Sequence, residues 1–368
     1  MNGSFHNIAI IINELYMGGA QRLVLDEIPE LLKRGIHVSL ITLRPMSAQN
    51  SFDHSPLVAL GAEHICIHFP SLLSFKKYVE LVSFLKAGEY DLLITHLWFS
   101  NTIGRICGVM ARVPRILSFE HNVYDSLKSP LQFFVDRILQ SFSYRIVAVS
   151  NAVRASLISH GIRPVRVRVL LNAISLSNFS DPIPNEKDIR KDLNLPHNAF
   201  VFVSVGRLTE QKAPEILIDA LAMTSDGYLL LVGVGEQEDE IRKRIAEKEL
   251  TNRVRLLGAR TDVPSILRQA DCFVFSSRWE GVGIVLLEAM AAGLPIISTN
   301  FIAAREIIVN EENGLLVQVD DAEMFSQAMK RVRKDHELRT RLANAGRAKS
   351  KQFGIEQHVD KLLRIAAS

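Results

Sequence analysis

A chain of 368 residues, 48% of them hydrophobic, is longer than most single domains, so two domains are expected. The net charge of +3 is too small to indicate nucleic-acid binding, and no apolar run is long enough to span a membrane. Three scattered cysteines and a first apolar run too short for a signal peptide predict a cytoplasmic protein without disulfides or a zinc site.

The first half of the chain predicts alternating strands and helices. Ile8–Ile12 is a predicted buried strand, a glycine turn follows at Gly18 and Gly19, and residues 20–34 have the apolar spacing of a helix. The next predicted strands are His37–Leu43, Asp91–Thr95, Arg115–Phe119 and Arg145–Val149. Short apolar strands separated by helices predict a parallel sheet that helices cover on both faces.

The pattern restarts after a polar, proline-containing stretch at residues 175–197. The second set of predicted strands comprises Phe200–Val205, Tyr228–Val232, Val254–Leu257, Cys272–Phe275 and Pro295–Ser298. The predicted fold is therefore α/β, with two Rossmann-like, doubly wound domains that face each other across a cleft at the carboxyl ends of their strands. The predicted domains are residues 1–178 and 179–352, and a helix within residues 353–368 is predicted to fold back onto the first domain.

Two cations follow the first predicted strand of the second domain. Gly206 comes directly after that strand, and a glycine there lets the backbone approach a ligand closely. Arg207 can bind two phosphate oxygens at once, and Lys212 supplies a mobile point charge. Their position at the end of a strand favours a role in binding a diphosphate. The alternative is that both are ordinary surface side chains beside a turn.

Two carboxylates bracket a glycine turn further along the same domain. The segment from Glu280 to Glu288 reads EGVGIVLLE and follows the strand Cys272–Phe275. A helix that begins after a glycine turn presents backbone N–H groups that can bind a phosphate. Carboxylates repel a phosphate but bind hydroxyl groups, so the pattern indicates a ligand with both, and a nucleotide sugar has both.

These two motifs together resemble the signatures of glycosyltransferase family 4. That family comprises retaining, nucleotide-sugar-dependent enzymes of the GT-B fold with an E-x7-E motif. The resemblance covers nearly the whole chain, because it also includes Gly18-Gly19-Ala-Gln-Arg22, Val149-Ser150-Asn151 and Leu171-Asn172-Ala-Ile. It implies a glycosyltransferase that builds a glycan or lipid-linked glycan of a bacterial surface polysaccharide or lipopolysaccharide, with a UDP-sugar as the expected donor.

The resemblance also implies roles for individual residues. Glu288 matches the glutamate that holds the donor ribose, and Glu280 matches the one beside the donor sugar. Arg207 and Lys212 match the cations on the diphosphate, where they would act in catalysis as well as in binding. The other implied donor-binding residues are Gly19, Gly206, Val282, Gly283, Ile284 and Arg260, the last of which would lie beside the nucleotide base.

Two histidines follow strands of the first domain. His121 lies just past Arg115–Phe119, and the family has a histidine there beside the donor sugar, so the resemblance implies a catalytic role. The alternative is a loop histidine that makes a structural hydrogen bond. His96 also follows a strand, and we expect it to be an acceptor-side or structural residue.

The resemblance further implies retention by same-face attack, in which His121 and Glu280 orient the substrates without forming a covalent bond. No Asp-x-Asp occurs in a suitable loop, so no metal or other cofactor is expected. One departure concerns Ile302 and Ala303, which replace two glycines common before Glu306 and put the donor sugar's identity in doubt. The alternatives from other functional classes are a nucleotide-sugar epimerase, a dinucleotide oxidoreductase and a binding-only relative.

Basic and apolar residues in the first half of the sequence, the predicted acceptor-binding domain, suggest contact with a membrane surface. The first 175 residues contain 17 basic and 12 acidic side chains. Segment 70–86 combines bulky apolar residues with lysines, and an anionic inner membrane face could attract the basic residues Lys76, Lys77, Arg105, Arg112 and Arg115. The alternative is a packed helix with solvated lysines.

Overall fold

The computed structural model describes residues 5–45, 51–123, 128–180 and 188–368. The chain forms two α/β units, of which the first contains residues 1–173 and 355–368 and the second contains residues 174–354. Each unit has its own parallel sheet with helices between consecutive strands. The prediction of two doubly wound α/β domains is confirmed.

The first unit contains a seven-stranded parallel sheet in the order β3-β2-β1-β4-β5-β6-β7. Its strands are β1 (Asn7–Ile12), β2 (His37–Thr42), β3 (Glu63–Cys66), β4 (Leu92–His96), β5 (Arg115–Glu120), β6 (Arg145–Ala148) and β7 (Val167–Val169). Its helices are α1 (Gly19–Lys33), α2 (Ser55–Ala59), α3 (Phe75–Ala87), α4 (Trp98–Met110), α5 (Pro130–Leu139), α6 (Asn151–Ser159) and the C-terminal helix α15 (Ile355–Ala367).

The second unit contains a six-stranded parallel sheet in the order β10-β9-β8-β11-β12-β13. Its strands are β8 (Val201–Val205), β9 (Tyr228–Val232), β10 (Val254–Leu256), β11 (Cys272–Phe275), β12 (Ile296–Thr299) and β13 (Leu315–Val317). Its helices are α7 (Ser177–Ser180), α8 (Ile189–Asp192), α9 (Pro214–Ala222), α10 (Glu238–Glu247), α11 (Val263–Arg268), α12 (Ile284–Ala292), α13 (Ala322–Lys334) and α14 (His336–Ser350).

The central strands are apolar because both faces of each sheet are covered. In β1, every residue from Ile8 to Ile12 is fully buried, and the strand pairs in parallel with β2 and β4. In the second unit, β8 pairs with β9 on one side and β11 on the other. Continuous burial of this kind is typical of parallel sheets and explains why these strands were predicted from apolar runs.

The C-terminal helix packs within the first unit. Helix α15 contacts α1, and the Nε2 atom of His358 lies 2.8 Å from a carboxylate oxygen of the fully buried Glu27. The other ring nitrogen of His358 lies 2.9 Å from the carbonyl oxygen of Leu171. Both partners of this histidine precede residue 173, so the last helix belongs to the fold of the first unit.

One residue of the predicted basic surface is buried instead. The guanidinium of Arg105 is only 1% exposed and pairs with Asp136 at 3.0 Å and Glu120 at 3.5 Å. Lys128 bonds the same two carboxylates at 2.8 and 3.0 Å, which completes a buried group of four charges. The prediction that Arg105 contacts a membrane is therefore wrong, because its charge neutralises carboxylates in the interior.

Candidate active site

The carboxyl ends of three neighbouring strands form the candidate site of the second unit. Strand β8 lies between β9 and β11, and the segments that follow these strands carry most of the predicted donor-binding residues. Because the carboxyl ends of parallel strands lie at one edge of the sheet, residues 206–212, 233–237 and 276–283 are brought together.

A pocket lies at the end of β8. Gly206, Arg207 and Lys212 line it together with Phe275 and Leu231, among other residues. The guanidinium of Arg207 donates to the side-chain oxygen of Gln211 at 3.4 Å. The structure thus brings the two predicted cations to one pocket, and two cations at one strand end can bind the oxygens of a diphosphate.

Lys212 pairs with Glu280 across this strand edge. The ammonium nitrogen lies 2.6 Å from Oε1 of Glu280, and the Ser277 hydroxyl donates to the same oxygen at 3.0 Å. The ammonium also lies 4.9 Å from the centre of the Phe275 ring. Lys212 and Glu280 are both mostly buried, so their charges interact more strongly than a surface pair would.

Gly206 leaves room for the side chain of Lys212 at the end of β8. A Cβ atom at Gly206 would lie 3.3 Å from Cδ of Lys212, so a larger residue would push that side chain away. The amide of Gly206 donates to the Val232 carbonyl at 2.9 Å, which continues the pairing of β8 with β9 beyond the strands. Gly206 and the stem of Lys212 are therefore in close contact where both line the pocket.

Two glycines that we did not predict complete this loop. A Cβ at Gly233 would collide with the carbonyl oxygen of Gly206, and one at Gly235 would collide with that of Leu208. Gly233 also has φ +135°, a conformation that residues with side chains rarely adopt. The sequence signal was available, because Gly233-Val-Gly235 follows the predicted strand Tyr228–Val232 in the same way that Gly206 follows β8.

Glycine also sets the start of α12. Gly283 has φ +83° and immediately precedes the helix. The side chains of Val282 and Ile284 are buried, so only their backbone atoms could approach a ligand. Glu288 lies one turn into a helix whose other residues are apolar, and it is only 8% exposed. Carboxylates buried to this extent are rare in proteins unless they bind a polar or charged partner.

Arg260 already has a partner within its own loop. Its guanidinium forms two bonds to Asp262, at 2.7 and 2.5 Å, and this carboxylate raises the pKa of Arg260. The same loop touches the glycine segment, because the Gly233 amide donates to the Gly258 carbonyl at 2.8 Å. The loop thus adjoins the pocket edge, while the side chain of Arg260 is held by Asp262.

The residues that depart from the family pattern form a short 3-10 helix, Ile302–Glu306. The side chain of Ile302 is 69% exposed, whereas Ala303 is buried. Arg305 donates to the side chain of Asn300. The larger of the two replacements therefore points to solvent, and the smaller one packs inside the unit.

The first unit carries the remaining predicted residues. Gly19 is exposed at the first position of α1, where backbone N–H groups lack helical acceptors. His121 follows β5, and its Nε2 lies 2.9 Å from Nδ1 of His96 at the end of β4. Burial lowers the pKa of His121 to about 4 and the pKa of His96 well below its ordinary value.

The predicted basic surface residues lie in different environments. Lys76 is exposed in α3, and Arg112 is exposed just after α4. Lys77 pairs with Glu80 at 2.6 Å, and Arg115 lies over the rings of Phe5 and Tyr144. Among the residues that the structure describes, no helix combines the length and apolar character needed to cross a bilayer.

Two family models match the chain in succession. A model described as "Glycosyltransferase Family 4" matches residues 17–178, and one described as "Glycosyl transferases group 1" matches residues 185–349. Nearly all of the first match lies within the seven-stranded unit, and the second falls within the six-stranded unit.

Two curated relatives match over nearly their full lengths. One is the Escherichia coli UDP-Gal:alpha-D-GlcNAc-diphosphoundecaprenol alpha-1,3-galactosyltransferase, 29% identical over 360 residues, with 94% of this chain and 92% of the relative covered. The other is a Campylobacter jejuni diphospho-undecaprenol 4-alpha-N-acetylgalactosaminyltransferase, 27% identical over 366 residues, with 94% and 95% covered. Both names describe transfer of a sugar to a glycan on an undecaprenyl diphosphate.

Solved structures share the fold. Anabaena HepE, determined in complex with UDP-glucose, aligns with a TM-score of 0.88 at 23% identity and covers 98% of this chain and 100% of its own. WaaG, a glycosyltransferase involved in lipopolysaccharide biosynthesis, aligns with a TM-score of 0.75 at 19% identity over 98% and 100% of the two chains. The predicted fold class is confirmed by these alignments.

Proposed function

This chain belongs to glycosyltransferase family 4, and we propose that it transfers a sugar from a UDP-sugar to a lipid-linked acceptor of a bacterial surface glycan. The E. coli and C. jejuni relatives support the acceptor class, because both act on glycans attached to an undecaprenyl diphosphate. The name of the E. coli relative specifies UDP-Gal as its donor, which supports the nucleotide.

The observation that carries the proposal is the pocket at the end of β8. Arg207 and Lys212 both line it, and Gly206 leaves the backbone open beside them. Two positive side chains at one strand end can neutralise a diphosphate, whose oxygens would accept hydrogen bonds from both. The amino end of α12 follows the neighbouring strand β11, and the N–H groups there favour negative charge.

The two glutamates fit the hydroxyl groups of the same donor. Glu288 is nearly buried, and a buried carboxylate can accept strong hydrogen bonds from a pair of ribose hydroxyls. Glu280 lies beside the pocket, because it bonds Lys212 at 2.6 Å. In the proposed complex, Lys212 turns toward the diphosphate, and Glu280 then accepts hydrogen bonds from the donor sugar.

The proposed chemistry is transfer with retention of configuration. Arg207 and Lys212 stabilise the charge that develops on the leaving diphosphate, which lowers the barrier to breaking the sugar–phosphate bond. The acceptor hydroxyl attacks from the face that the diphosphate leaves, and a phosphate oxygen takes the hydroxyl proton. Glu280 and His121 orient the sugar without forming a covalent bond to it, and Gly19 contributes backbone N–H groups to the phosphates.

Charge stabilisation by side chains makes a divalent cation unnecessary in this proposal. We therefore expect the rate of transfer to be the same in the presence of EDTA and of added Mg²⁺ or Mn²⁺. A rate that falls with EDTA and recovers with Mg²⁺ would contradict the role assigned to Arg207 and Lys212.

An exposed apolar face on α5 supports attachment to a membrane that carries the acceptor. Leu131 and Phe134 are 70% and 56% exposed, and Ile138 follows on the same side of the helix. The only carboxylate of α5, Asp136, points inward to Arg105 and Lys128. A helix face with large apolar residues and no acidic ones can lie in the headgroup region of an anionic bilayer.

Sedimentation with vesicles tests this attachment. We expect the wild-type chain to sediment with vesicles that contain phosphatidylglycerol, and the double variant Phe134→Ser/Ile138→Ser to remain largely in the supernatant. Met223→Ser is the control, since Met223 is an exposed apolar residue of the second unit. Equal sedimentation of all three proteins would contradict attachment through α5 and leave the transferase proposal standing.

A donor screen tests the transferase proposal itself. The chain is heated with UDP-, GDP- and ADP-sugars, and the nucleotide that raises its Tm identifies the donor class. The selected sugar nucleotide is then incubated with an undecaprenyl diphosphate that carries a short glycan. We expect a longer glycan and free UDP. A Tm that rises with GDP- or ADP-sugars alone would contradict the proposed donor.

A further inference from the structure

Three aromatic rings stack on one face of the first sheet, at the ends of β4 and β5. His96 is the last residue of β4 and lies beside Phe119 in the parallel register. Phe119 and His121 project to the same face, since they are two residues apart along the chain. The His96 ring lies 4.7 Å from that of Phe119 and 5.2 Å from that of His121.

The two histidines share one hydrogen bond. Nδ1 of His96 lies 2.9 Å from Nε2 of His121, so one of these atoms carries the proton and the other accepts it. Neither ring is charged near neutral pH, because burial lowers the pKa of both. Glu120 partly offsets this effect on the pKa of His121, whereas His358 adds to it.

The environment of His96 decides where the shared proton lies. Its second nitrogen, Nε2, is buried and has no hydrogen-bond partner within the described part of the chain. If His121 donated the bond, that buried Nε2 would carry a proton with no acceptor. If His96 donates, Nε2 holds only a lone pair. In native proteins, a buried N–H group without an acceptor is rarer than a buried lone pair without a donor. We therefore assign His96 as the donor.

The backbone also holds His96 in place. Leu97, the next residue, has φ +72° and ψ 150°, which a residue with a side chain rarely adopts. Helix α4 starts immediately afterwards, and Asn13 accepts hydrogen bonds from both the amide and the hydroxyl of Ser100 in its first turn. These hydrogen bonds fix the first turn of α4, directly after the turn at Leu97 that follows His96.

We propose that His96 is a positioning residue that donates its Nδ1–H to Nε2 of His121 and thereby holds His121 as the tautomer protonated at Nδ1. The lone pair at Nε2 of His121 is then engaged, so that atom does not remove a proton from a substrate. Any partner of His121 at Nδ1 must be an acceptor, such as a hydroxyl oxygen of a sugar. The link to turnover rests on the proposed function of His121.

Nitrogen NMR of the full chain tests the tautomer without any assay of transfer. Two-bond ¹H–¹⁵N correlation spectra distinguish a protonated from an unprotonated ring nitrogen, and the signals of His121 are those lost in His121→Gln. In the wild-type chain we expect a protonated Nδ1 and an unprotonated Nε2 for His121. A proton at Nε2 of His121 would overturn the proposal, and this result needs no variant of His96.

Two variants of His96 test whether its hydrogen bond sets the tautomer of His121. His96→Phe keeps a ring beside Phe119 but has no donor, so we expect His121 to move toward the tautomer protonated at Nε2. His96→Asn places an amide N–H near the position of Nδ1, and we expect it to restore the wild-type spectrum. An unchanged His121 spectrum in a folded His96→Phe would overturn the proposal.

Kinetics then separate this inference from the proposed function. We expect kcat to fall by at least about tenfold in His96→Phe with little change in the KM for the donor, and to recover in His96→Asn. If the tautomer changes as expected while kcat does not, the positioning of His121 is supported, and its proposed role beside the donor sugar is wrong.

Discussion

The ammonium group of Lys212 lies 2.6 Å from a carboxylate oxygen of Glu280, although both residues are expected to contact the same donor. A cation that is already paired cannot neutralise a diphosphate without leaving its partner. Binding of the diphosphate should therefore release Glu280, which is then able to bind the sugar. The ion pair thus couples the two halves of the proposed donor site.

Glu280→Gln tests this coupling. The amide cannot neutralise Lys212, so we expect UDP to bind as tightly as to the wild-type chain or up to about tenfold more tightly, which corresponds to about 1.4 kcal/mol. The same change should lower kcat by at least about tenfold, since an amide orients the sugar less strongly. Isothermal titration and a transfer assay measure the two effects. Weaker UDP binding in Glu280→Gln than in the exposed control Glu312→Gln would contradict the coupling.

Glu288 is expected to hold the ribose and not the diphosphate. Hydrogen bonds to a charged group contribute about 1.5–3 kcal/mol, so Glu288→Ala should weaken the binding of UDP and UMP alike by roughly 10- to 100-fold. Titrations with both nucleotides measure this, with circular dichroism as the test of folding. Loss of UDP affinity alone, with UMP binding retained, would place Glu288 at the diphosphate and contradict the assignment.

Gly233→Ala should damage both folding and binding. The new Cβ would meet the carbonyl oxygen of Gly206, and φ +135° is unfavourable for alanine. We expect a loss of stability of about 1–3 kcal/mol or more, together with weaker UDP binding, because Gly206 must move. Gly61→Ala is the control, since Gly61 has φ +103° but nothing within 4 Å of its Cβ position. Equal losses in the two variants would show that the contact with Gly206 has no effect.

The histidine pair makes the stability of the chain depend on pH. Burial lowers the pKa of His121 to about 4 and that of His96 well below its ordinary value, whereas both are near 6.5 in an unfolded chain. Between these values the unfolded chain binds more protons, so this stabilising contribution is complete above about pH 6.5 and is lost as the pH falls toward 4. We expect the fall in Tm between about pH 7 and pH 5 to be smaller in His121→Gln than in the wild-type chain. An identical fall would contradict the lowered pKa of His121 in the folded chain.

The sequence predicted the central strands of both sheets but missed three of the four edge strands. Tyr228–Val232 and Cys272–Phe275 were predicted with their observed bounds, because buried parallel strands are continuous apolar runs. The strands that were missed are β3, β7 and β13, and each lies at the edge of its sheet. The missed strands are only three or four residues long, which is too short for a periodic pattern to be recognised, even in β13, whose three residues are all apolar.

The sequence predicted those parts of the candidate site in which a glycine and charged residues come directly after a predicted strand. Arg207 and Lys212 were placed together by that rule, and the structure brings them to one pocket. The pairing of Lys212 with Glu280 was not predictable, because it depends on the contact between β8 and β11. The burial of Arg105 was missed for a related reason, since its two carboxylate partners are 15 and 31 residues away in sequence.

The most direct test of the proposed diphosphate site is the binding of UDP by the double variant Arg207→Ala/Lys212→Ala, measured by isothermal titration calorimetry. The wild-type chain should bind UDP more tightly than UMP, because only UDP presents a diphosphate to the pocket at the end of β8. The double variant should lose this preference, and the control Lys243→Ala, which removes an exposed lysine of α10, should keep it. A folded double variant that binds UDP with wild-type affinity and preference would contradict the claim that Arg207 and Lys212 form the diphosphate site.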